Sequence, residues 1–272
     1  GAFMGECGNA FYVGGSAPLL VACSEVFIDN IGWSVAQAAP TVMFGSQGVG
    51  THTAAQIIVG STSLNAPTYN ATTCTINFNG VSFSASTPLT TCHSLGAGYG
   101  ESSDSMGIVA GCSQGNTGGN SVEEWDGNSW SVHPTLPVVT KELGGGGSAL
   151  TGAGVFGGIN NSASTFIYDK TLTAPFTYNE NPTTDSWSRG ASLIQGARKP
   201  GGFGTQNSAV AVSGTTIASP TESLTCTQEY NGSSWTAGGA IIQGRCALGA
   251  SGTQNAGLAF GGANTPTVYA NT

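Results

Sequence analysis

In its last quarter the chain reads Glu229-Tyr230-Asn231-Gly232-Ser233-Ser234-Trp235, which predicts two short strands and the turn between them. Asn-Gly favours a tight hairpin because both residues tolerate a positive φ. The stretch Gly252-Thr253-Gln254-Asn255 then predicts a second turn, and an apolar strand follows it and ends at Gly261-Gly262. This part of the chain therefore predicts short antiparallel strands joined by tight turns.

The same order of residues recurs along the whole chain. An aromatic residue is followed 17 positions later by glycine in five pairs: Trp33/Gly50, Phe83/Gly100, Trp130/Gly147, Trp187/Gly204 and Trp235/Gly252. An apolar run then ends in glycine at six places: Gly14-Gly15, Gly60, Gly111, Gly157-Gly158, Gly214 and Gly262. Self-similarity at a period of 46 to 57 residues indicates an array of one supersecondary unit.

Strand-like segments without helical periodicity predict an all-β fold, and four short strands in each unit are typical of propeller blades. We expect a single six-bladed β-propeller over residues 1–272, built from four-stranded antiparallel blades, with the last blade incomplete. The expected blades span residues 1–36, 37–86, 87–133, 134–190, 191–238 and 239–272. In the last of them, Pro266-Thr267-Val268-Tyr269 is the expected third strand. We expect the glycine-ended strand to lie second from the hub and the repeated aromatic residue to wedge between blades.

Composition excludes several functional classes. Only 7% of the residues are charged, the net charge is −8, and the chain has six cationic side chains. It cannot form the basic stripe of a nucleic-acid-binding protein, and we expect no nucleic-acid partner. No run of 18 apolar residues appears, so membrane insertion is not expected either. Three of the seven cysteines, at one repeat position, are expected to be small buried residues: Cys23, Cys74 and Cys226.

A search for catalytic patterns favours structural explanations. The three histidines lack the spacing of metal ligands, so we expect neither a metal site nor a cofactor. Adjacent Glu123 and Glu124 point to opposite faces of a strand, and we expect both to be solvated. Arg198 and Arg245 occupy nearly the same repeat position, so we expect them to donate to backbone carbonyls. Asp126 fits a hairpin turn better than a calcium site.

Variable connections on a constant scaffold are where recognition usually takes place. The connection after Gly158, about residues 159–173, is the longest of its kind, and blade four also has an enlarged hairpin at residues 179–185. Aromatic and amide side chains in these two segments suit binding to sugars. The candidate binding residues are Phe166, Tyr168, Asp169, Lys170, Asn179, Asn181 and Asp185.

The Gly-Gly-ended strand, the Tyr-bearing strand and the Trp at fixed spacing resemble the kelch repeat. The amino-acid sequence of residues 229–235 and 252–262 is similar to that of kelch-type repeats in virion proteins of marine bacteriophages. This resemblance implies a propeller that acts without catalysis in a virion or extracellular appendage, such as a tail fibre. The implied partners are other virion or appendage proteins and host surface carbohydrate. A homo-oligomer is also compatible with this resemblance. The alternatives are a carbohydrate-active hydrolase or lyase and a kelch-type adaptor for protein partners.

Overall fold

The computed structural model describes most of the chain. The described residues are 1–6, 9–16, 19–63, 71–100, 107–114, 117–148, 152–169, 186–216, 223–264 and 267–268. Apart from one 3-10 turn at Ile159–Asn161, all their regular structure is β. The strands pair with their neighbours in sequence in antiparallel meanders, as the repeated turns predict.

Five sheets have four strands each and form the blades. The first is β1 (Ala2–Glu6), β2 (Asn9–Ser16), β3 (Leu20–Ile28) and β4 (Gly32–Val35). The second is β5 (Gln47–Gly50), β6 (Ala55–Ile58), β7 (Thr75–Phe78) and β8 (Phe83–Ala85). The third is β9 (Ala97–Gly100), β10 (Gly107–Gln114), β11 (Thr117–Trp125) and β12 (Trp130–His133). The fourth is β13 (Leu143–Ser148), β14 (Gly152–Gly157), β15 (Thr165–Asp169) and β16 (Ser186–Arg189). The fifth is β17 (Gly201–Thr205), β18 (Ser208–Val212), β19 (Thr227–Tyr230) and β20 (Trp235–Ala237).

The prediction of six blades with an incomplete last one is wrong. After the fifth blade the described chain forms two separate two-stranded sheets, β21 (Gly249–Thr253) with β22 (Ala256–Phe260), and β23 (Ala263–Asn264) with β24 (Thr267–Val268). Thr267–Val268, the expected third strand, pairs with Ala263–Asn264 and not with β22. Gly262 (φ 86°) and the pairing of Ala263 with Cys246 repeat Gly214 (φ 98°) and the pairing of Thr215 with Arg198 in blade five. The difference is the length of chain that follows: eleven residues separate Thr215 from β19, whereas two separate Asn264 from Thr267, so β24 pairs with β23.

The first strand of each blade lies at the hub. β1, β5, β9, β13 and β17 contact one another in that order, and β21 contacts both β17 and β1. The β21–β22 ribbon therefore lies between the fifth blade and the first, and the hub strands close a circle. The glycine-ended strand is second from the hub in every blade, which confirms that prediction.

Each repeated aromatic residue packs against the neighbouring blade, as predicted. Trp235 on β20 lies edge-on to Phe156 on β14, with ring centroids 5.2 Å apart. Its indole N–H donates to Thr165 Oγ1 (3.0 Å) and to the Ala191 carbonyl (3.1 Å). The equivalent Trp33 packs on Phe260 at 4.9 Å, which joins β22 to blade one. The core is thus a series of layers between blades, and these layers stabilise the disc.

The repeated glycines at the ends of the hub strands meet two constraints. Gly50, Gly147, Gly204 and Gly252 have positive φ values of 102°, 139°, 102° and 123°. A Cβ at Gly204 would also overlap the carbonyl oxygen of Ser208 on the adjacent strand. Only glycine satisfies both constraints, which explains the fixed interval in the sequence. Gly100, the remaining member of the set, ends β9.

Candidate functional site: two faces and a central channel

The chain direction divides the connections between two faces of the disc. The turns from first to second strand and from third to fourth strand share one side, which we call the hairpin face; it includes Asn79-Gly80, Asp126-Gly127 and Asn231-Gly232. The opposite side, where each hub strand begins, we call the ring face. It carries the connections between blades.

A narrow channel runs between the faces along the hub. Its lining is largely glycine: Gly48, Gly98, Gly145 and Gly202 occur in both halves, with Phe3 from β1. The half toward the hairpin face has a cavity volume of about 140 Å³, and the half toward the ring face has about 120 Å³. Hub strands pair on one side only, so their second backbone edge faces the channel. The wall is therefore largely polar backbone, and the side chains of Phe3, Tyr99 and Phe203 interrupt it.

An arc of four backbone hydrogen bonds runs along the channel mouth on the ring face. Five residues just before the hub strands have positive φ: Gly45, Leu95, Glu142, Lys199 and Ala247. The amide of Leu95 donates to the Gly45 carbonyl (2.9 Å), and that of Glu142 to the Leu95 carbonyl (2.5 Å). The amide of Lys199 donates in the same way to the Glu142 carbonyl (3.1 Å), and that of Ala247 to the Lys199 carbonyl (3.1 Å). We call these five residues the amide ring. Sequence reasoning missed the amide ring because its side chains share no property.

An ionic cluster lies on the amide ring. Glu142 accepts hydrogen bonds from Arg198 through both carboxylate oxygens, one of them 3.0 Å from Arg198 Nη2. Lys199 Nζ is 3.7 Å from Glu142 Oε1. Burial raises the pKa of Glu142, but the Arg198 hydrogen bonds and the charges of Lys199 and Lys141 outweigh this and lower it. Arg245, two residues before Ala247 of the amide ring, donates to the carbonyls of Gly261 (3.0 Å) and Gln243 (3.3 Å). Arg245 therefore has the expected backbone acceptors, whereas Arg198 has a carboxylate acceptor.

The structure does not place the predicted aromatic binding residues in a loop. Phe166 and Tyr168 lie on β15, and both are buried in the layer between blades three and four. Tyr168 pairs with Trp187 just as Tyr230 pairs with Trp235, so it is the repeated core aromatic of the third strand. The Tyr-then-Trp order around the enlarged hairpin was the signal for this equivalence. The rings of Phe166 and Tyr168 do not reach solvent.

Asp169 is the exposed end of β15 and the start of the enlarged connection. Gln206 of blade five donates through Nε2 to Asp169 Oδ1 (2.6 Å) and to the Tyr168 carbonyl (3.0 Å). Gln254 makes the same link to the Tyr230 carbonyl (3.0 Å). The Gly-Thr-Gln-Asn turn that occurs twice in the sequence is therefore a tie between blades. The other candidate residues, Lys170, Asn179, Asn181 and Asp185, lie outside the described residues.

Glu123 and His93 form a buried pair between blades two and three. The Glu123 carboxylate accepts hydrogen bonds from the Thr90 and Thr91 amides (2.8 and 2.9 Å) and from the Thr91 hydroxyl (2.6 Å), and His93 Nε2 is 3.3 Å away. Burial raises the pKa of Glu123, but these hydrogen bonds dominate and lower it to about 2. The expectation that Glu123 is solvated is therefore wrong. Its buried carboxylate holds the connecting segment at Thr90 and Thr91 through hydrogen bonds.

Glu124 faces the opposite side of the strand, as predicted, but it too is buried. Its Oε2 is 3.5 Å from His133 Nε2, and His133 Nδ1 is 2.9 Å from the Tyr168 hydroxyl. Burial, followed by the charge of Glu124, raises the pKa of Tyr99 well above its usual value. This polar cluster lies inside the layer between blades three and four, and so its groups link blades.

The remaining sequence candidates have local roles. Asp126 accepts hydrogen bonds from the Asn128 and Ser129 amides (2.8 and 2.7 Å), which is the turn role expected for it. Cys23 and Cys74 are exposed and Cys226 is partly exposed, so the prediction that these three cysteines are buried is wrong. Within the described residues no three His, Cys, Asp or Glu side chains gather where they could hold a metal ion. No helix in that part of the chain is long and apolar enough to cross a membrane.

Comparison with known proteins supports the fold. No protein-family model matches the chain, and no curated protein matches it in sequence. Among solved structures it is similar to the propeller protein YjhT, described as "Structure of YjhT", with a TM-score of 0.74 and 11% sequence identity. The similarity covers 100% of this chain and 92% of the other. At this identity the likeness shows the architecture alone, and the chain is a β-propeller.

Proposed function

We propose that this propeller is a non-enzymatic attachment or assembly module of a virion or extracellular appendage, with kelch-like repeats as its scaffold. It binds a host surface glycan or another structural protein through the hairpin face of blade four. The observation that carries this proposal is the length of one connection. Residues 170–185 join β15 to β16, whereas residues 79–82, 126–129 and 231–234 make the same link in blades two, three and five.

The scaffold around this connection supports a recognition role. Gln206 ties its first anchor, Asp169, to the next blade, and the Tyr168–Trp187 pair fixes both flanking strands in the core. A rigid scaffold that carries one long connection is an arrangement common in recognition. The buried acids and histidines have roles in contacts between blades, which also favours a binding module.

Replacing the connection tests the proposal. Residues 170–185 are exchanged for Asn-Gly-Ser-Ser, the turn of blade five, and binding to a glycan array and to host cells is measured. We expect an intact fold and loss of binding, because the scaffold strands keep their partners. As a matched control, the same four residues replace 126–129 in blade three, where binding should persist.

Two results would contradict the proposal. One is unchanged binding after the exchange in blade four. The other is release of cleaved sugar from a bound glycan, which would indicate a hydrolase or lyase. Immunogold electron microscopy of purified particles tests the virion assignment separately, since no label on fibres or capsids would remove it.

A further inference from the structure

We propose that the outer edge of β22 binds a basic β-hairpin of a partner protein, whose two strands extend the β21–β22 ribbon. This site lies between blades five and one. It is separate from the hairpin face of blade four and does not depend on the function proposed for it. Three observations carry the inference: an open backbone edge, the exposure of positions that are buried elsewhere, and acidic side chains on both walls.

The strand β22 has an open backbone edge. One edge pairs with β21, and the described part of the chain gives the other edge no neighbour. The turn that joins Thr253 to Ala256 has two residues, so this closing pair is hydrogen bonded. Because the pattern alternates, Gly257 and Ala259 direct their N–H and C=O groups outward. The corresponding residues of blade five pair with its third strand: Ala209 with Tyr230, and Ala211 with Gln228.

Gly257 provides room for an aromatic side chain. In all five blades a small, buried residue of the second strand lies opposite the third-strand aromatic residue: Ala10, Ala55, Gly107, Ala153 and Ala209. Gly257 has this position on β22, but it is exposed. Its surface toward blade five faces the Phe203 ring, because a Cβ on Gly257 would overlap that ring. An incoming strand can place an aromatic residue here, as the blades do.

The two walls beside this edge are more exposed than their counterparts in the other blades. Thr227 of β19 is partly exposed on the side of blade five that faces the ribbon, whereas its counterparts are buried: Ser24, Thr75, Val122 and Thr165. Glu25 of β3 is exposed on the side of blade one that faces the ribbon. Its counterparts are also buried: Ile76, Glu123, Phe166 and Gln228. A cleft is therefore open outside β22, between Thr227 and Glu25.

The other blades show what fits this cleft. Thr165, the counterpart of Thr227, accepts a hydrogen bond from the indole of Trp235 on the fourth strand of the next blade. Glu123 and Gln228, the counterparts of Glu25, accept hydrogen bonds from backbone amides of the segment that follows the preceding fourth strand. Both kinds of contact come from a fourth strand and its continuation. A hairpin with an aromatic residue on each strand supplies them, whereas a single strand does not.

Charge favours a basic hairpin. Glu25 lies on one wall, and Glu229, which shares a face of β19 with Thr227, lies on the other. The net charge of the chain is −8, so a second copy would bring like charges together at this site. A lysine or arginine on the incoming strands would instead pair with these carboxylates. Strand addition to an open sheet edge then supplies the backbone hydrogen bonds.

The probe is a synthetic peptide of residues 227–237, the hairpin of blade five, with the substitution Glu229→Lys. By analogy with blade five, its tyrosine comes opposite Gly257 and its lysine faces Glu25. We expect fluorescence anisotropy of the labelled peptide to show binding that weakens as salt rises. The unmodified peptide should bind at least about tenfold more weakly, because it brings a carboxylate to Glu25. The protein variant Glu25→Lys should reverse the order of the two peptides.

The protein variant Ala259→Pro tests the backbone edge. It removes an outward N–H while the bonds to β21 from the neighbouring residues remain, so the fold should persist and peptide binding should be lost. The matched control is Ala85→Pro, at the exposed end of β8 in blade two, which should bind the peptide like the wild type. Melting temperatures of both variants show whether the fold is intact.

Four results would overturn the inference. They are equal affinity for the two peptides, unchanged binding to Ala259→Pro, loss of binding to Ala85→Pro, and no binding to the wild-type protein. Sedimentation tests the rival occupant. We expect the protein without peptide to be a monomer, whereas a dimer that Ala259→Pro dissociates would show that a second copy occupies the edge.

Discussion

Gly204 and Ala247 show two ways in which a single residue accommodates a positive φ. Gly204 has φ 102° and lacks room for a Cβ, so its identity is fixed by sterics. Ala247, on the amide ring, has φ 52° and an exposed side chain, so its conformation is strained without a clash. The sequence predicts the first kind of position, because only glycine fits there. It does not reveal the second kind, where Leu, Glu, Lys and Ala share a backbone role.

Gly204→Ala should lower the free energy of unfolding by about 3 kcal/mol, since it adds both left-handed strain and overlap with the Ser208 carbonyl. Urea denaturation measures the change. Gly239→Ala is the control, because a Cβ there has no neighbour within 4 Å, and its effect should stay within about 0.5 kcal/mol. Equal effects at both positions would mean that Gly204 is not constrained.

Ala247→Gly should raise the free energy of unfolding by about 0.5–1 kcal/mol. Relief of about 1–2 kcal/mol of left-handed strain outweighs the greater entropy that glycine gives the unfolded chain. The midpoint of urea denaturation would move upward at unchanged slope. A lower midpoint would show that residue 247 is not held at positive φ.

The third strand of a blade carries an aromatic residue that packs in the core, and two residues earlier it can carry a polar residue that binds the preceding connection. The third strand places an aromatic residue opposite the outer-strand aromatic in all five blades: Phe27, Phe78, Trp125, Tyr168 and Tyr230. Two residues earlier, Glu123 and Gln228 reach the backbone of the preceding connection. Strand existence and order could be predicted from turns and alternation. The role of Tyr168 is indicated by the Tyr-then-Trp order that it shares with Tyr230. The burial of Phe166 and Glu123 could not be predicted, because it depends on the neighbouring sheet.

Glu123→Gln should destabilise the protein by about 3 kcal/mol at pH 7, in line with the lowering of its pKa from 4.5 to about 2. A carboxyl with a lowered folded-state pKa stabilises the fold above pH 4.5, and this contribution is lost as the pH falls toward 2. The stability difference between wild type and variant should therefore shrink over that interval. Glu229→Gln controls for the loss of one charge on a third strand. A difference that stays constant down to pH 2 would show that Glu123 lacks these hydrogen bonds.

At the scale of the molecule, closure of the disc depends on the β21–β22 ribbon. The ring centroid of Phe260 on β22 is 5.3 Å from that of Phe3 and 4.9 Å from that of Trp33, both in blade one. The repeat predicts a ring of like units but does not show how the ring ends. The five complete blades follow from local turn chemistry, whereas the last sheet depends on how Ala263–Asn264 and Thr267–Val268 pair. They pair with each other, and Ala263 also pairs with Cys246.

Phe260→Ala should reduce the free energy of unfolding by about 3–4 kcal/mol, because it leaves a cavity between the ribbon and blade one. Leu258→Ala, on the same strand but partly exposed, should cost clearly less. Thermal unfolding of the two variants gives the comparison. Similar losses would argue that the ribbon does not pack on blade one.

Closure itself can be observed by nuclear Overhauser spectroscopy on protein with labelled phenylalanine and glycine. The structure places the Phe3 ring against Gly249, so cross-peaks are expected between the Phe3 ring protons and the Gly249 α protons. Cross-peaks between Phe11 and Phe78, whose centroids are 4.3 Å apart between blades one and two, serve as the internal reference. Detection of both sets supports a closed propeller, whereas the reference cross-peaks without those between Phe3 and Gly249 would contradict it.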